Sequence, residues 1–285
     1  MLILRAQHLG MCFGVKRAIT QAIAAADRGP LTILGDLVHN DLVLADLQAR
    51  GIRSCPEIDD VETPTVMISA HGASERRLAA LDARRLRVLN ATCPLVAAAH
   101  EAVNLLVSEG CHPVIVGRRD HAEVRGLTED LDAFDVVLAD SDVEHLEERP
   151  AFGIAAQTTQ PIERVRYLVG LIRGRFPQAE VRFIDTVCQP TKQRQHAAVE
   201  LAQQSSVVIV IGGSHSNNTR ELVQTCAAHC ERVHHIQTAS DLQPDWFHPD
   251  DTVGLTAGTS TPDDVIDAVE SRLHELIPVS QNLAV

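Results

Sequence analysis

Short apolar, β-branched runs alternate with longer amphipathic stretches along the chain. The short runs predict strands, and apolar residues recurring three and four positions apart predict helices between them. This alternation indicates an α/β fold with mostly parallel sheets. The predicted strands are Leu31–Leu34, Thr65–Ser69, Arg87–Leu89, Pro113–Gly117, Ala151–Ala155, Glu180–Ile184, Ser206–Ile211 and Thr252–Thr256. The predicted helices are Val15–Ala26, Ser74–Arg84, Pro94–Ser108, Pro161–Arg175, Thr191–Gln204, Asn218–Ala228 and Pro262–Leu276.

Polar and small residues follow the predicted strands, at the ends where open parallel sheets bind their ligands. His39 precedes a further helix start. We therefore expect polar groups to gather along one edge of each sheet. The segments after the strands are Ala70–Ser74, His121 with Glu123, Gln157–Thr159, Gly212–Thr219 and Ala257–Pro262.

Two of these turns, Gly212–Thr219 and Gly258–Pro262, combine glycine, hydroxyl and amide groups just before a predicted helix. Backbone N–H groups and the helix dipole at such a place favour an anion, and phosphate is the natural candidate. Neither turn is a P-loop or a dinucleotide fingerprint. For either turn alone, Ser216, Asn218 and Ser260 serve equally well as simple helix caps.

Each third of the chain carries one cysteine at an element boundary, beside glycine, proline or threonine: Cys12, Cys93 and Cys188. This spacing predicts three α/β domains, residues 1–92, 93–187 and 188–285, with the N-terminal strand able to pack with the third. The cysteines lack the compact spacing of many iron–sulfur motifs, so buried thiols are the simpler alternative. Three thiolates would, however, leave one metal position open, as a catalytic centre needs.

The other cysteines, Cys55, Cys111, Cys226 and Cys230, are interpreted as packing residues. His39, His71 and His121 are candidates for phosphate donors or metal ligands, although a single strand-end histidine is more often structural. Glu123 shares a face with His121 if the segment is extended. It is a candidate proton donor, and a solvated carboxylate near Arg125 is the alternative.

Composition limits the functional classes. A chain of 285 residues with 45% hydrophobic content is large enough for several cores. Its net charge of -13 argues against a nucleic acid or an anionic membrane as the main partner. The N-terminal segment lacks a secretory pattern and no apolar run reaches spanning length, so we expect a cytoplasmic protein whose cysteines are thiols or metal ligands.

Seven short motifs, in order along almost the whole chain, resemble the 4-hydroxy-3-methylbut-2-enyl diphosphate reductase family (IspH/LytB). They are Cys12–Val15, Val38–Asn40, Ser69–Gly72, Ala91–Val96, Gln157–Thr159, Ser216–Thr219 and Gly258–Asp263.

The resemblance implies a trefoil of three α/β domains around a 4Fe-4S cluster held by Cys12, Cys93 and Cys188. It implies a bacterial enzyme that reductively dehydroxylates 4-hydroxy-3-methylbut-2-enyl diphosphate to isopentenyl and dimethylallyl diphosphate, the last step of the methylerythritol phosphate pathway. Thr158 would position the hydroxyl, Glu123 would deliver protons, and ferredoxin or flavodoxin would supply electrons. The diphosphate would be held by His39, His71, His121, Ser216, Asn217, Asn218 and Ser260.

Three residues depart from the family pattern: Ala122 replaces a proline, Asn217 a serine and Asn90 an aspartate. They keep open a divergent paralogue acting on another phosphorylated or phosphonate substrate. A non-catalytic iron–sulfur sensor of a phosphorylated ligand and a zinc hydrolase with Cys and His ligands are further alternatives.

Overall fold

The computed structural model describes residues 1–276. Strands and helices alternate along this part of the chain, with three short 3-10 helices between them. The strands are β1 (Leu2–Arg5), β2 (Leu31–Leu34), β3 (Arg53–Cys55), β4 (Thr65–Ile68), β5 (Arg87–Asn90), β6 (His112–Val116), β7 (Asp135–Val137), β8 (Ala151–Ala156), β9 (Glu180–Phe183), β10 (Val207–Ile211), β11 (Val233–Ile236) and β12 (Thr252–Ala257). The helices are α1 (Phe13–Ala26), α2 (Asp41–Ala49), α3 (Glu75–Ala83), α4 (Pro94–Ser108), α5 (Ala122–Thr128), α6 (Asp140–Glu144), α7 (Ile162–Arg175), α8 (Gln189–Gln204), α9 (Asn217–Ala227) and α10 (Asp263–Leu276).

The strands form three sheets of four strands each, and every pairing between them is parallel. The sheet orders are β1-β12-β10-β11, β3-β2-β4-β5 and β7-β6-β8-β9. All residues of β2 and of β10 are buried, as expected for inner strands covered on both faces. The prediction of an α/β fold with parallel sheets is confirmed.

The chain divides into two compact units. The first contains Met1–Cys12 and Gln193–Val285, and in it β1 lies beside β12, with Leu2 opposite Thr252. The second contains Phe13–Lys192 and holds the other two sheets. The finer division into three domains, with boundaries after residues 92 and 187, stays a prediction.

The cores consist of inner-strand residues and the apolar faces of the helices that cover them. Phe152 and Ile154 of β8 pack in one cluster with Leu168 and Ile172 of α7. Val207, Ile209 and Leu255 form another cluster with Ile266 and Val269 of α10. These are the apolar residues whose spacing predicted the elements.

Four strands absent from the predicted ranges, β1, β3, β7 and β11, each lie at a sheet edge, and of these only β1 was expected, as an N-terminal strand without bounds. They are three or four residues long and include exposed or half-buried polar residues, such as Arg53 in β3 and His234 in β11. An edge strand buries one side poorly, so it needs no continuous apolar run. Within residues 1–276, no helix combines the length and the apolar composition needed to cross a bilayer.

Candidate functional site

Three histidines from the carboxyl ends of strands in two different sheets meet within the second unit. His39 follows β2, His71 follows β4, and His121 follows β6 and caps the N-terminus of α5. The ring centroids lie 4.3 Å apart for His39 and His71, 5.0 Å for His39 and His121, and 5.5 Å for His71 and His121. A cavity of about 300 Å³ adjoins His39 and is also lined by Ala122 and Arg125. The prediction that strand-end polar groups gather is therefore met for these residues.

Burial keeps two of these imidazoles neutral. It lowers the pKa of His121 to about 3, and the nearby His39 acts in the same direction. The pKa of His71 lies well below its ordinary value because of burial and the proximity of His39 and His121. At neutral pH these rings are hydrogen-bonding groups whose protonation an arriving anion would favour.

The hydrogen bonding of His121 determines where its proton lies. Its Nδ1 accepts the backbone N–H of Glu123 at 3.1 Å. Because that N–H can only donate, the neutral ring carries its hydrogen on Nε2. Nε2 therefore acts as a donor, which suits an anionic oxygen better than a metal ion. Nitrogen atoms of His39, His71 and His121 lie within 4.8 Å of one another, yet metal binding would require His121 to change tautomer or release its cap.

Glu123 is 1% exposed and is held by both polar groups of Thr158. The Thr158 backbone N–H donates to Glu123 Oε1 at 2.6 Å, and the Thr158 hydroxyl donates to Oε2 at 3.0 Å. Burial raises the pKa of Glu123 to about 7, although both hydrogen bonds oppose this shift. A carboxyl group that titrates near neutrality is suited to proton donation. The alternative of a solvated carboxylate is excluded for Glu123.

Thr158 also connects to Cys188. The N–H of Cys188 donates to the Thr158 carbonyl at 3.0 Å, so the backbone after β8 supports the start of α8. The sulfur of Cys188 lies 3.1 Å from Thr191 Oγ1. Hydrogen bonds thus run from His121 through Glu123 and Thr158 to Cys188. Thr191 was missed at the sequence level, although its place one helical turn after a candidate ligand is a usable signal.

Cys93 lies at the N-terminus of α4, and its N–H donates to Ala70 O at 3.0 Å. Just before it, Asn90 Oδ1 accepts the N–H of Thr92 at 2.9 Å. An aspartate would offer an oxygen at the same place, so the departure at Asn90 preserves the turn. The departure at Ala122 falls on the first residue of α5, where proline is favoured but the His121 cap already fixes the helix start.

The first unit contains the two glycine-rich turns, and Asn218 joins them. Asn218 Oδ1 accepts the backbone N–H of Thr259 at 3.0 Å. Its Nδ2 is buried without a hydrogen-bond partner among the described residues, as are Thr219 Oγ1 and Thr256 Oγ1. A buried donor without an acceptor lowers the stability of the fold unless a ligand or water pairs with it. These unpaired donors therefore favour a polar ligand at this place.

Both turns need glycine because threonine hydroxyls pack against them. A Cβ at Gly258 would lie 2.1 Å from Thr219 Oγ1, and one at Gly212 would lie 2.6 Å from the same atom. Ser216 caps α9 by accepting the N–H of Thr219 at 3.3 Å, and Asn217 and Ser260, which belong to the two turns, are buried. The helix cap at Ser216 and the unpaired donors of Asn218 and Thr219 therefore occur in the same turn, so capping does not exclude ligand binding there.

Cys12 is tied to the second of these turns. Its N–H donates to Thr259 O at 3.0 Å. Two positions earlier, Gly10 has a φ of +72°, and its carbonyl accepts two hydrogen bonds from the buried Arg194 at 3.1 and 2.6 Å. Sequence reasoning did not single out Arg194, and no spacing rule marks it.

The three candidate ligand cysteines share a setting that the other cysteines lack. Cys12, Cys93 and Cys188 are half-buried, and each immediately precedes the first residue of a helix. The N-terminus of a helix favours a negatively charged group such as a thiolate. Cys111, Cys226 and Cys230 are fully buried, and burial raises the pKa of Cys226 to about 12. The donor set therefore suits soft, thiolate-bound iron at the first three cysteines.

Comparison with known proteins gives a consistent result. The profile of the LytB protein family matches residues 3–274. The 4-hydroxy-3-methylbut-2-enyl diphosphate reductases of Pelobacter propionicus (strain DSM 2379) and Geobacter sp. (strain M21) are 38% and 40% identical to this chain. Both alignments cover 97% of this chain, with 99% and 98% of the respective relative.

Two solved structures extend the comparison. A structure of (E)-4-hydroxy-3-methyl-but-2-enyl diphosphate reductase, the terminal enzyme of the non-mevalonate pathway, has a TM-score of 0.69 and 37% identity, covering 96% of this chain and 100% of its own. The E-1-hydroxy-2-methyl-but-2-enyl-4-diphosphate reductase of Plasmodium falciparum has a TM-score of 0.87 and 25% identity, covering 95% and 87%. With a family match and similar relatives spanning nearly its full length, this chain belongs to the LytB family.

Proposed function

We propose that this protein reduces 4-hydroxy-3-methylbut-2-enyl diphosphate to isopentenyl diphosphate and dimethylallyl diphosphate. The reaction breaks the allylic C–O bond, forms one C–H bond, and consumes two electrons and two protons, with the hydroxyl leaving as water. Family membership supports the assignment. The observation that carries it is the buried Glu123, whose pKa is raised to about 7 and which Thr158 holds through two hydrogen bonds.

Glu123 is the proton donor in this proposal. Because its pKa is raised to about 7 by burial, a large fraction of the molecules carry the proton at neutral pH. Thr158 orients the carboxyl group, and its hydroxyl oxygen, whose hydrogen is donated to Glu123, can accept a hydrogen bond from the substrate hydroxyl. Protonation by Glu123 makes the substrate oxygen a leaving group of low basicity. A positioned acid of this kind typically contributes about 10²- to 10⁴-fold to the rate.

Two groups of donors recognise the diphosphate. His39, His71 and His121 offer imidazole N–H groups, of which Nε2 of His121 is the one defined by its hydrogen bonding. Ser216, Asn217, Asn218 and Ser260 offer hydroxyl and amide groups, and the orphaned Nδ2 of Asn218 supports this role most directly. The diphosphate anchors the substrate, so that binding energy far from the reacting carbon can be used to orient it.

Cys12, Cys93 and Cys188 would hold a 4Fe-4S cluster, which supplies electrons singly and a Lewis-acidic iron with an open position. The structure supports these ligands through their shared half-buried setting at helix starts. Ferredoxin or flavodoxin is the proposed electron donor, and the cytoplasm is the proposed compartment. Three domains, residues 1–92, 93–187 and 188–285, are the proposed organisation.

The test is an anaerobic titration of reduced, cluster-loaded protein with 4-hydroxy-3-methylbut-2-enyl diphosphate. Both the absorption of the cluster and the five-carbon products are followed. We expect a spectral change together with isopentenyl and dimethylallyl diphosphate. A loaded protein that responds spectrally but forms no product would be a ligand sensor. Stoichiometric zinc without sulfide would instead favour the hydrolase alternative.

A further inference from the structure

The exposed face of α1 combines an aromatic ring with two cations. Phe13 is 52% exposed, and Lys16 and Arg17 are exposed three and four positions later, on the same side of the helix. The opposite side is buried through Gly14, Ala18 and Ala22. Small residues therefore form the fully buried side of α1, with Val15, Ile19 and Ile23 half-buried, and Phe13 is the large apolar side chain of this helix that is exposed.

The chain carries 25 lysine and arginine residues against 38 acidic residues, yet α1 contains Lys16 and Arg17 and no acidic residue. The chain has a net charge of -13 and contains only two lysines, Lys16 and Lys192. Each follows a candidate ligand cysteine by four positions, Lys16 after Cys12 and Lys192 after Cys188. Lys16 is exposed, whereas Lys192 is only partly exposed.

The cationic face also lies close to a second candidate ligand. Arg17 donates from its guanidinium to the carbonyl of Thr92 at 3.0 Å, and Thr92 immediately precedes Cys93. Phe13 itself directly follows Cys12 in the chain. A protein bound on this face would therefore be within a short distance of the Cys93 loop.

The proposed reaction requires two electrons per substrate molecule, and these must come from another molecule. We propose that Phe13, Lys16 and Arg17 of α1 form the docking surface for an acidic protein that donates electrons one at a time. This inference rests on the proposed function. Each encounter oxidises the donor by one electron. Two encounters, with two protons, supply what is needed to break the C–O bond, release water and form the C–H bond.

Charge complementarity selects this partner. Lys16 and Arg17, on a helix without acidic residues, would attract a compact acidic surface, whereas a nucleic acid or an anionic membrane rewards a larger cluster of cations. An exposed aromatic residue beside charged residues is also typical of the anchors of protein interfaces. Weak, salt-sensitive binding is expected, as for other electron-transfer encounters.

The test measures binding of oxidised ferredoxin, and in parallel of oxidised flavodoxin, to the cluster-loaded protein by calorimetry without substrate. Lys16→Glu should weaken binding of the accepted donor by about tenfold at low salt, and the difference should shrink near 0.5 M salt as charges are screened. Phe13→Ser should weaken binding at both salt concentrations. Arg28→Glu is the matched control, because Arg28 is exposed just beyond the other end of α1 and the charge change is the same.

Turnover with reduced methyl viologen completes the design. Lys16→Glu should retain the wild-type rate with this small reductant while losing rate with the protein donor. Equal losses in Lys16→Glu and Arg28→Glu, no binding of either donor by the wild type, or an equal loss with methyl viologen would each overturn the docking surface. Failure of the proposed function would look different, since the wild type would bind a donor yet form no five-carbon product with any reductant.

Discussion

In the proposed function, the histidine region of the second unit (His39, His71 and His121) and the hydroxyl region of the first unit (the turns Gly212–Thr219 and Gly258–Pro262) would hold an anion in two different ways. In the histidine region, burial and mutual proximity keep His71 and His121 neutral, so the region can take up protons. In the hydroxyl region, Asn218 and Thr219 present buried amide and hydroxyl groups that do not titrate. The comparison teaches that the buried histidines would make anion binding depend on pH, whereas the contacts of Asn218 and Thr219 would be the same at every pH.

The largest effect should come from Glu123→Gln, which retains shape but removes the proton. We expect kcat to fall by about 10²- to 10⁴-fold, with substrate affinity changed less than about threefold. In the wild type, kcat should decline as the pH rises through about 7, because the acid form of Glu123 is then lost. Steady-state kinetics from pH 6 to 9 measure both. The exposed Glu101→Gln is the control, and a Glu123→Gln enzyme within tenfold of wild type would refute the acid role.

The next effect should come from Gly258→Ala in the hydroxyl region. The new Cβ would lie 2.1 Å from the buried Thr219 Oγ1 and 3.2 Å from Thr219 Cβ, so rotating the hydroxyl away would still leave a close contact. We expect the free energy of unfolding to fall by about 1–3 kcal/mol, and pyrophosphate affinity to fall by about tenfold at every pH. Denaturant unfolding and calorimetry measure the two quantities.

The control for Gly258→Ala is Gly170→Ala in α7, where an added Cβ has no neighbour within 4 Å. It should leave pyrophosphate affinity unchanged and raise stability by up to about 1 kcal/mol, because alanine is the better helix former. Normal pyrophosphate affinity in Gly258→Ala would show that these turns do not contact the anion.

Two substitutions of His121 distinguish the role of Nδ1 from the role of Nε2. Asparagine places an acceptor near Nδ1 and keeps the cap on the Glu123 N–H, so His121→Asn should weaken substrate binding about tenfold while kcat stays within about threefold. The longer glutamine side chain places its amide near the position of Nε2 but caps a helix poorly. His121→Gln should therefore retain substrate affinity and lose about tenfold in kcat, because the N–H of Glu123 loses its acceptor. Identical changes in KM and kcat for the two variants would mean that the cap has no catalytic consequence.

The smallest effect should be proton uptake when pyrophosphate binds. An anion beside His71 and His121 raises their depressed pKa values, so binding should take up a fraction of one proton, increasing as the pH falls from 8 to 6. Calorimetry in two buffers of different ionisation enthalpy measures this number. His71→Gln should reduce it and Ser216→Ala should leave it unchanged. An equal effect of both substitutions would remove the distinction between the regions.

Much of the framework follows from local pattern. The prediction of a helix over Pro94–Ser108 matches α4 at both ends, because Cys93-Pro94 is a strong start signal and the apolar spacing is regular. The short helix α5 was not predicted, since its seven residues are too few to show a period. His121 and Glu123 were expected to share a face of an extended segment, but they occupy a helix start, and a hydrogen bond links them instead.

The sequence by itself determined the alternation of strands and helices, the placement of polar residues after the strands, and which cysteines stand at helix starts. These are properties of neighbouring residues. Only the tertiary structure decided that histidines from two sheets meet and that Thr158 donates hydrogen bonds to Glu123. It also decided that a hydrogen bond from Thr259 to Asn218 joins the two glycine-rich turns. The chemistry of the candidate site depends on these distant contacts, because burial and hydrogen bonding, rather than residue type, determine where each proton lies.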